Sequence, residues 1–179
     1  MLPILFGCSQ NNSKKLEEIK LEIQELRDLE SKKIYLEGIL IELQDLQLEE
    51  ESFRLHIEEG DKSRKEFEGR KREIEEEHYL KISEYFDNYG YPSRAELGQY
   101  AAYVPFVVLY YAEREEYYRE DQFKYFFGAY SFNDLPQNMF YTYLYKYYEV
   151  IKAEEYDEIE ALTVEENIHR MMDELGLEY

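Results

Sequence analysis

One short run of residues does most to limit how this chain folds. Tyr89-Gly90-Tyr91-Pro92-Ser93 ends one helix, turns, and begins another. Gly90 is free to take the left-handed conformation that closes a helix, and Pro92 cannot continue one. Ser93 and Glu96 stand at capping-box spacing, so each can satisfy a free donor at the new N-terminus. Ala101 to Ala112 follows as the only sustained apolar run of the second half, and it is too short to span a bilayer.

Helical grammar continues on both sides. Tyr79, Ile82, Tyr85 and Phe86 share one face of a helix predicted over residues 75–88. After the turn, a helix from Ser93 meets Pro105, where a kink or a fresh start is expected because proline removes a donor and clashes with the preceding turn. A further helix is expected over 113–130, then a loop over 131–137 in which Asn133 or Asp134 can cap the next helix. Tyr141, Tyr143, Tyr145 and Tyr147 alternate as in a strand, but Phe140, Leu144, Tyr147 and Ile151 fit a helix over 139–155 better. Thr163 and Glu166 make a second capping box, and the last helix should stop near Gly176.

Upstream, the chain reads as one helical arm from Lys14 to about Glu59. Leu16, Ile19, Ile23 and Leu26 follow heptad spacing. The register then slips: Leu29, Leu36, Leu40 and Leu43 continue a stripe that Ile34, Ile39, Ile41, Leu46 and Leu48 broaden. So wide a stripe packs against more than one neighbour. Gly60-Asp61-Lys62-Ser63 is a turn signal. The segment after it, 64–77, has only Phe67 and Ile74 as apolar residues. It has little surface with which to cover the arm, which favours a bent arrangement over a tight hairpin and leaves a stripe open to a second copy or another protein. The fold class expected is all-α: a terminal segment 1–13, a coiled-coil-like arm 14–74, bent or folded as a hairpin, and a tyrosine-rich multi-helix domain 75–179.

Composition excludes some functions. A formal net charge of −20 is the opposite of the basic footprint that phosphate binding needs, so no nucleic-acid partner is expected. The single cysteine, Cys8, rules out an internal disulfide and a multi-cysteine zinc site. Twenty tyrosines and ten phenylalanines without a tryptophan point to a shallow, amphipathic core whose hydroxyls reach partners or water. The same rings also make good anchors at an interface.

Leu5-Phe6-Gly7-Cys8 resembles a bacterial lipobox, in which the chain is cut before a cysteine whose sulfur carries a diacylglycerol. Ser9-Gln10-Asn11-Asn12-Ser13 then reads as a polar tether. The apolar segment is short and has no basic residues before it, so the resemblance implies a signal continuing upstream of Met1. It also implies lipidation at Cys8 and an envelope-facing, membrane-anchored localisation; a cytoplasmic chain is the alternative. The stretch from residue 77 to 112 further resembles an uncharacterised bacterial all-helical domain family of unknown function. Tyr89-Gly90-Tyr91-Pro92-Ser93 matches that family's helix-ending turn, Gly98, Ala101 and Ala102 its next helix, and Phe106-Val107-Val108-Leu109 its apolar segment. The family's Gln-His pair is replaced by Tyr110-Tyr111, so the resemblance implies a helical fold and carries no activity.

Chemistry has one weak constellation. Glu75 with His78 and Glu166 with His169 are Glu-x-x-His pairs, each on one helical face, and two such pairs are the raw material of a carboxylate-bridged metal site. Glutamate is abundant enough to produce that spacing by chance, and the remaining histidine, His56, has no such partner. No glycine-rich phosphate loop or nucleophile motif is present, and no cofactor is expected. The reading that follows is a lipid-anchored binding or scaffolding module with no catalytic residue. A carboxylate-based metal-dependent enzyme and a soluble coiled-coil adaptor are the alternatives.

Overall fold

A computed structural model describes residues 7–55, 61–111, 118–151 and 163–177. Within them are seven helices and no strand: α1 Gly7–Glu25, α2 Leu29–Leu55, α3 Asp61–Tyr89, α4 Arg94–Tyr111, α5 Glu120–Ser131, α6 Gln137–Ile151 and α7 Val164–Leu175. The alternating tyrosines lie in α6, wound as a helix. The Ser9–Ser13 stretch read as a tether belongs to α1. The turn signal at Gly60 and His56 fall outside the described residues.

The arm is not one continuous helix. It breaks at Leu26-Arg27-Asp28, where the apolar register slips. Asp28 Oδ1 accepts the Ser31 N–H at 2.7 Å, and the Ser31 hydroxyl oxygen lies 3.3 Å from the Asp28 N–H. This reciprocal cap starts a new helix. Hydrogen bonds from Ser31 also hold the Asp28 carboxyl below its usual range.

Segment 64–77, expected to favour a bent arrangement, instead folds back within α3. Lys15 pairs with Glu77 at 2.8 Å, and Tyr89 reaches Ile23, so α3 runs parallel to α1. Glu42 meets His78, Glu50 meets Lys71 at 2.9 Å, and the Phe53 and Phe67 rings lie 5.0 Å apart, so α3 runs antiparallel to α2. The three helices form an up-down-up bundle. Over residues 64–77, α3 meets α2 through the ion pairs Arg70–Glu49 and Lys71–Glu50 and the Phe53–Phe67 ring contact, which is how a segment with so few apolar residues folds back. The α2 stripe is covered instead by α4, which also packs on α3 and α6. Ala101 and Ala102, both fully buried, permit that close approach.

The α3–α4 turn forms as its sequence predicts, with two differences. Gly90 has φ 73° and donates its N–H to Phe86 O at 2.9 Å. Ser93, however, points its hydroxyl at Asp134 Oδ1, 3.3 Å away, and the same carboxylate accepts the Arg94 N–H at 2.7 Å. The α4 N-terminus is thus capped from the α5–α6 loop rather than by Glu96. The kink of α4 also lies elsewhere. Gly98 has φ 86° and ψ 168°, a region essentially reserved for glycine, while Pro105 sits in helical geometry and is buried.

One cluster of buried side chains crosses the boundary between residues 74 and 75. Ile19, Ile23, Leu36, Ile39 and Leu43 belong to it together with Phe126, Phe140, Leu144 and Met171. Its aromatic part is deeper than expected. Phe126 stacks on Tyr143 at 4.0 Å between centroids, Phe140 on Tyr130 at 4.7 Å, and Tyr85 and Tyr143 are almost wholly buried. Some hydroxyls close helix ends: Tyr118 donates to Leu109 O at 2.7 Å, and Tyr89 lies 2.8 Å from Ile23 O and 3.0 Å from Leu26 O. The hydroxyls of Tyr91 and Tyr143 have no partner among the described residues, and burial pushes both phenols well above their ordinary range. At the far end, Thr163 and Glu166 form the expected capping box, and Gly176 closes α7 in the left-handed conformation, with Leu177 tucked back onto Met172 O at 2.9 Å.

Candidate functional site

Helix α2 presents two different apolar faces. Leu36, Ile39, Leu43 and Leu46 point into the protein. Ile34, Ile41 and Leu48 point out, and are 61%, 59% and 65% exposed. Seven-residue spacing places these three on one line along the helix, because two turns of 3.6 residues almost complete the repeat. Gln44 lies one turn from both Ile41 and Leu48 and leads from this line into a groove of about 300 Å³ between α2 and α4. Leu40 and Gln44 form one wall of the groove; Phe106, Val107, Tyr110 and Tyr111 form the other. Tyr110 and Tyr111 are themselves exposed.

The rim is acidic. Glu42 and Glu49 are used within the bundle, by His78 and Arg70 respectively. Glu30, Glu37, Asp45 and Glu51 make no ion pair among the described residues. The resulting surface is an aliphatic line flanked by carboxylates, on a helix whose opposite side is fixed in the core. It can grip an apolar, cationic surface; nothing about it activates a bond.

Each half of the metal constellation has other work. His78 is 0% exposed, and its Nε2 lies 2.7 Å from Glu42 Oε2. A carboxylate only accepts, so Nε2 carries the proton, and the buried Nδ1, which has no partner among the described residues, is a bare acceptor. Burial lowers the His78 pKa, with Glu42 opposing the shift, since a second proton would strand a donor in the core. Glu75 is 3.8 Å from Lys71 Nζ. On α7, Glu166 Oε2 accepts the Thr163 N–H at 2.8 Å and its hydroxyl at 2.7 Å, while His169 is exposed. Glu75 and His78 therefore sit on α3 against α2, and Glu166 and His169 sit on α7. Among the described residues no three His, Cys, Asp or Glu side chains gather as metal ligands.

Cys8 is the second residue of α1, and Leu5 and Phe6 fall outside the described residues. No helix among the described residues is long and apolar enough to cross a membrane. No family model matches the chain, and no curated protein or solved structure matches it.

The outward line of Ile34, Ile41 and Leu48 is present in the sequence, but spacing alone does not separate it from its neighbours in one broad stripe. Read by sevens, α2 carries separate lines: 34, 41 and 48; 36 and 43; 39 and 46. Only contacts made by distant residues reveal which lines are covered.

Proposed function

We propose that this chain is a binding or scaffolding module, held to a membrane by a lipid on Cys8, with the outward face of α2 as its docking surface. The observation that carries the binding part is the exposed line Ile34, Ile41 and Leu48 on the outward side of a helix whose Leu36, Ile39, Leu43 and Leu46 are in the core. Covering each of these side chains would release about 1 kcal/mol or more of apolar hydration free energy, a gain open to a partner and not taken among the described residues. Support for the membrane part comes from the lipobox-like Leu5-Phe6-Gly7-Cys8. In this reading the acyl chain supplies the attachment, and α1 to α3 hold the α2 face at a fixed orientation to the rest of the core.

Fatty-acid labelling of the protein expressed from its full native reading frame, beside a Cys8→Ala version, tests the anchor. The expected result is label on the native chain and none on the variant. Absence of label on both would remove the envelope assignment and leave a binding module without an anchor.

A further inference from the structure

We infer that the outward face of α2 takes a basic amphipathic helix of a partner protein, its apolar seam seated along Ile34, Ile41 and Leu48 and its lysines or arginines reaching Glu37, Asp45 and Glu51. The inference rests on the binding-module reading and adds the chemistry of the partner. Apolar residues at strict seven-residue spacing supply one of the two lines of a helix–helix seam, and the companion line three residues on, Glu37, Gln44 and Glu51, is polar and acidic and calls for cations from the partner. Gly38, one turn from both Ile34 and Ile41, adds no side chain to the face between them.

Charge separates the basic helix from a second copy of this chain. An antiparallel pairing centred on Ile41 matches Ile34 with Leu48 well, but it sets Glu37 of each copy opposite Asp45 of the other. A parallel pairing sets every rim carboxylate against its own equivalent. Like charges facing across a helical seam oppose association, and a net charge of −20 on each copy adds long-range repulsion. A helix with lysine or arginine beside its seam meets the same carboxylates as attraction, and Glu30, Glu37, Asp45 and Glu51 have no ion pair to give up among the described residues. The neighbouring groove with Tyr110 and Tyr111 extends the apolar contact on one side.

The test uses the full chain and a fluorescent model peptide of about three heptads, with leucine at the seam positions and lysine beside them. One control peptide has glutamate in place of lysine. A second keeps the composition of the first and scrambles the order. Anisotropy titrations at physiological ionic strength are expected to show the heptad lysine peptide binding at least tenfold tighter than either control. Ile41→Glu is expected to weaken it at least tenfold, and Glu37→Lys with Asp45→Lys to weaken it further at low salt. Ile41 and Asp45 are exposed and Glu37 is half-buried without an ion pair among the described residues, so circular dichroism should report an unchanged fold; Glu120→Lys on α5 together with Glu165→Lys on α7 is the matched charge change that should leave binding intact. Equal binding of the scrambled peptide would overturn the inference in favour of bulk charge attraction. Failure of the peptide together with a dimer in sedimentation that Ile41→Glu dissolves would overturn it too, while keeping the binding-module reading, with a second copy as the occupant. Failure of the peptide with a monomeric chain would overturn both.

Discussion

Tyr89 and phenylalanine differ by one oxygen, and that oxygen lies against two carbonyls at the end of α1, Ile23 O and Leu26 O. Lys32 sits over the same ring, 3.6 Å from its centroid. The side chain therefore ties the α3–α4 turn to the α1–α2 corner. Tyr89→Phe should cost about 1 kcal/mol in urea unfolding, the net value of a hydrogen bond whose acceptors become less well satisfied. Tyr143→Phe should do the reverse. Its hydroxyl is buried without a partner among the described residues, so removing it is expected to be neutral or stabilising by up to about 1 kcal/mol. Both are tyrosines of a helical face in the sequence. Their opposite roles depend on residues more than sixty positions away in one case and on the stacking of Phe126 in the other, and spacing encodes neither.

Two titrating side chains make the pH dependence specific. Burial opposes ionisation of Glu77, but hydrogen bonds from Lys15 and Lys81 outweigh it and bring the carboxyl from 4.5 down to about 2. A depressed carboxyl stabilises the fold above its unfolded pKa and loses that contribution as pH falls through the folded value. Glu77→Gln should therefore lower the melting temperature at pH 7, and the difference from the native chain should vanish as pH falls from about 4.5 to about 2. His78 has its folded pKa lowered from 6.5, so the unfolded chain takes up its proton first. Stability should fall as pH drops below 6.5, and His78→Leu should remove that component of the melting-temperature profile.

At the scale of elements, helix ends were legible where the cap is local. Thr163 with Glu166, Gly176 and Gly90 all behave as their spacing implies, because each partner is within a turn or so of chain. Asp28 with Ser31 is equally local; the heptad pattern running through it hid it. Ser93 follows a different rule, since its nearest competitor for a local cap is Asp134 from another loop. Asp134→Ala should cost about 1 kcal/mol, as the loss of an N-terminal cap does, and Glu96→Ala much less; chemical denaturation of the two variants separates them. Gly98 gives the second test of this kind. No atom lies within 4 Å of where its Cβ would stand, so Gly98→Ala meets no clash, yet the backbone at φ 86° and ψ 168° is closed to alanine. The expected loss is about 1–3 kcal/mol from backbone strain alone.

For the whole molecule, the all-α class follows from helical periodicity and caps, and that much was readable. The relation of the first helices to the rest was not. A chain that looks like an arm followed by a domain places Ile19, Ile23, Leu36, Ile39 and Leu43 in the same core as Phe126 and Leu144. The pairing of α2 with α4 joins residues separated by the whole of α3, and the ion pairs that let α3 fold back are invisible to a count of apolar positions. The same packing decides the candidate site. Because α4 takes the inner lines of α2, Ile34, Ile41 and Leu48 remain open to a partner.

Amide hydrogen exchange on the full chain tests that arrangement most directly. If α1 to α4 and the aromatic helices share one core, amides around Ile23, Leu36 and Leu43 should exchange by the same global opening as those around Phe126 and Leu144, with equal protection and equal sensitivity to denaturant. Early, independent exchange of residues 14–55, with residues 123–147 still protected, would contradict it. The first two helices would then be a separate arm, and every apolar line of α2, not one, would be open to a partner.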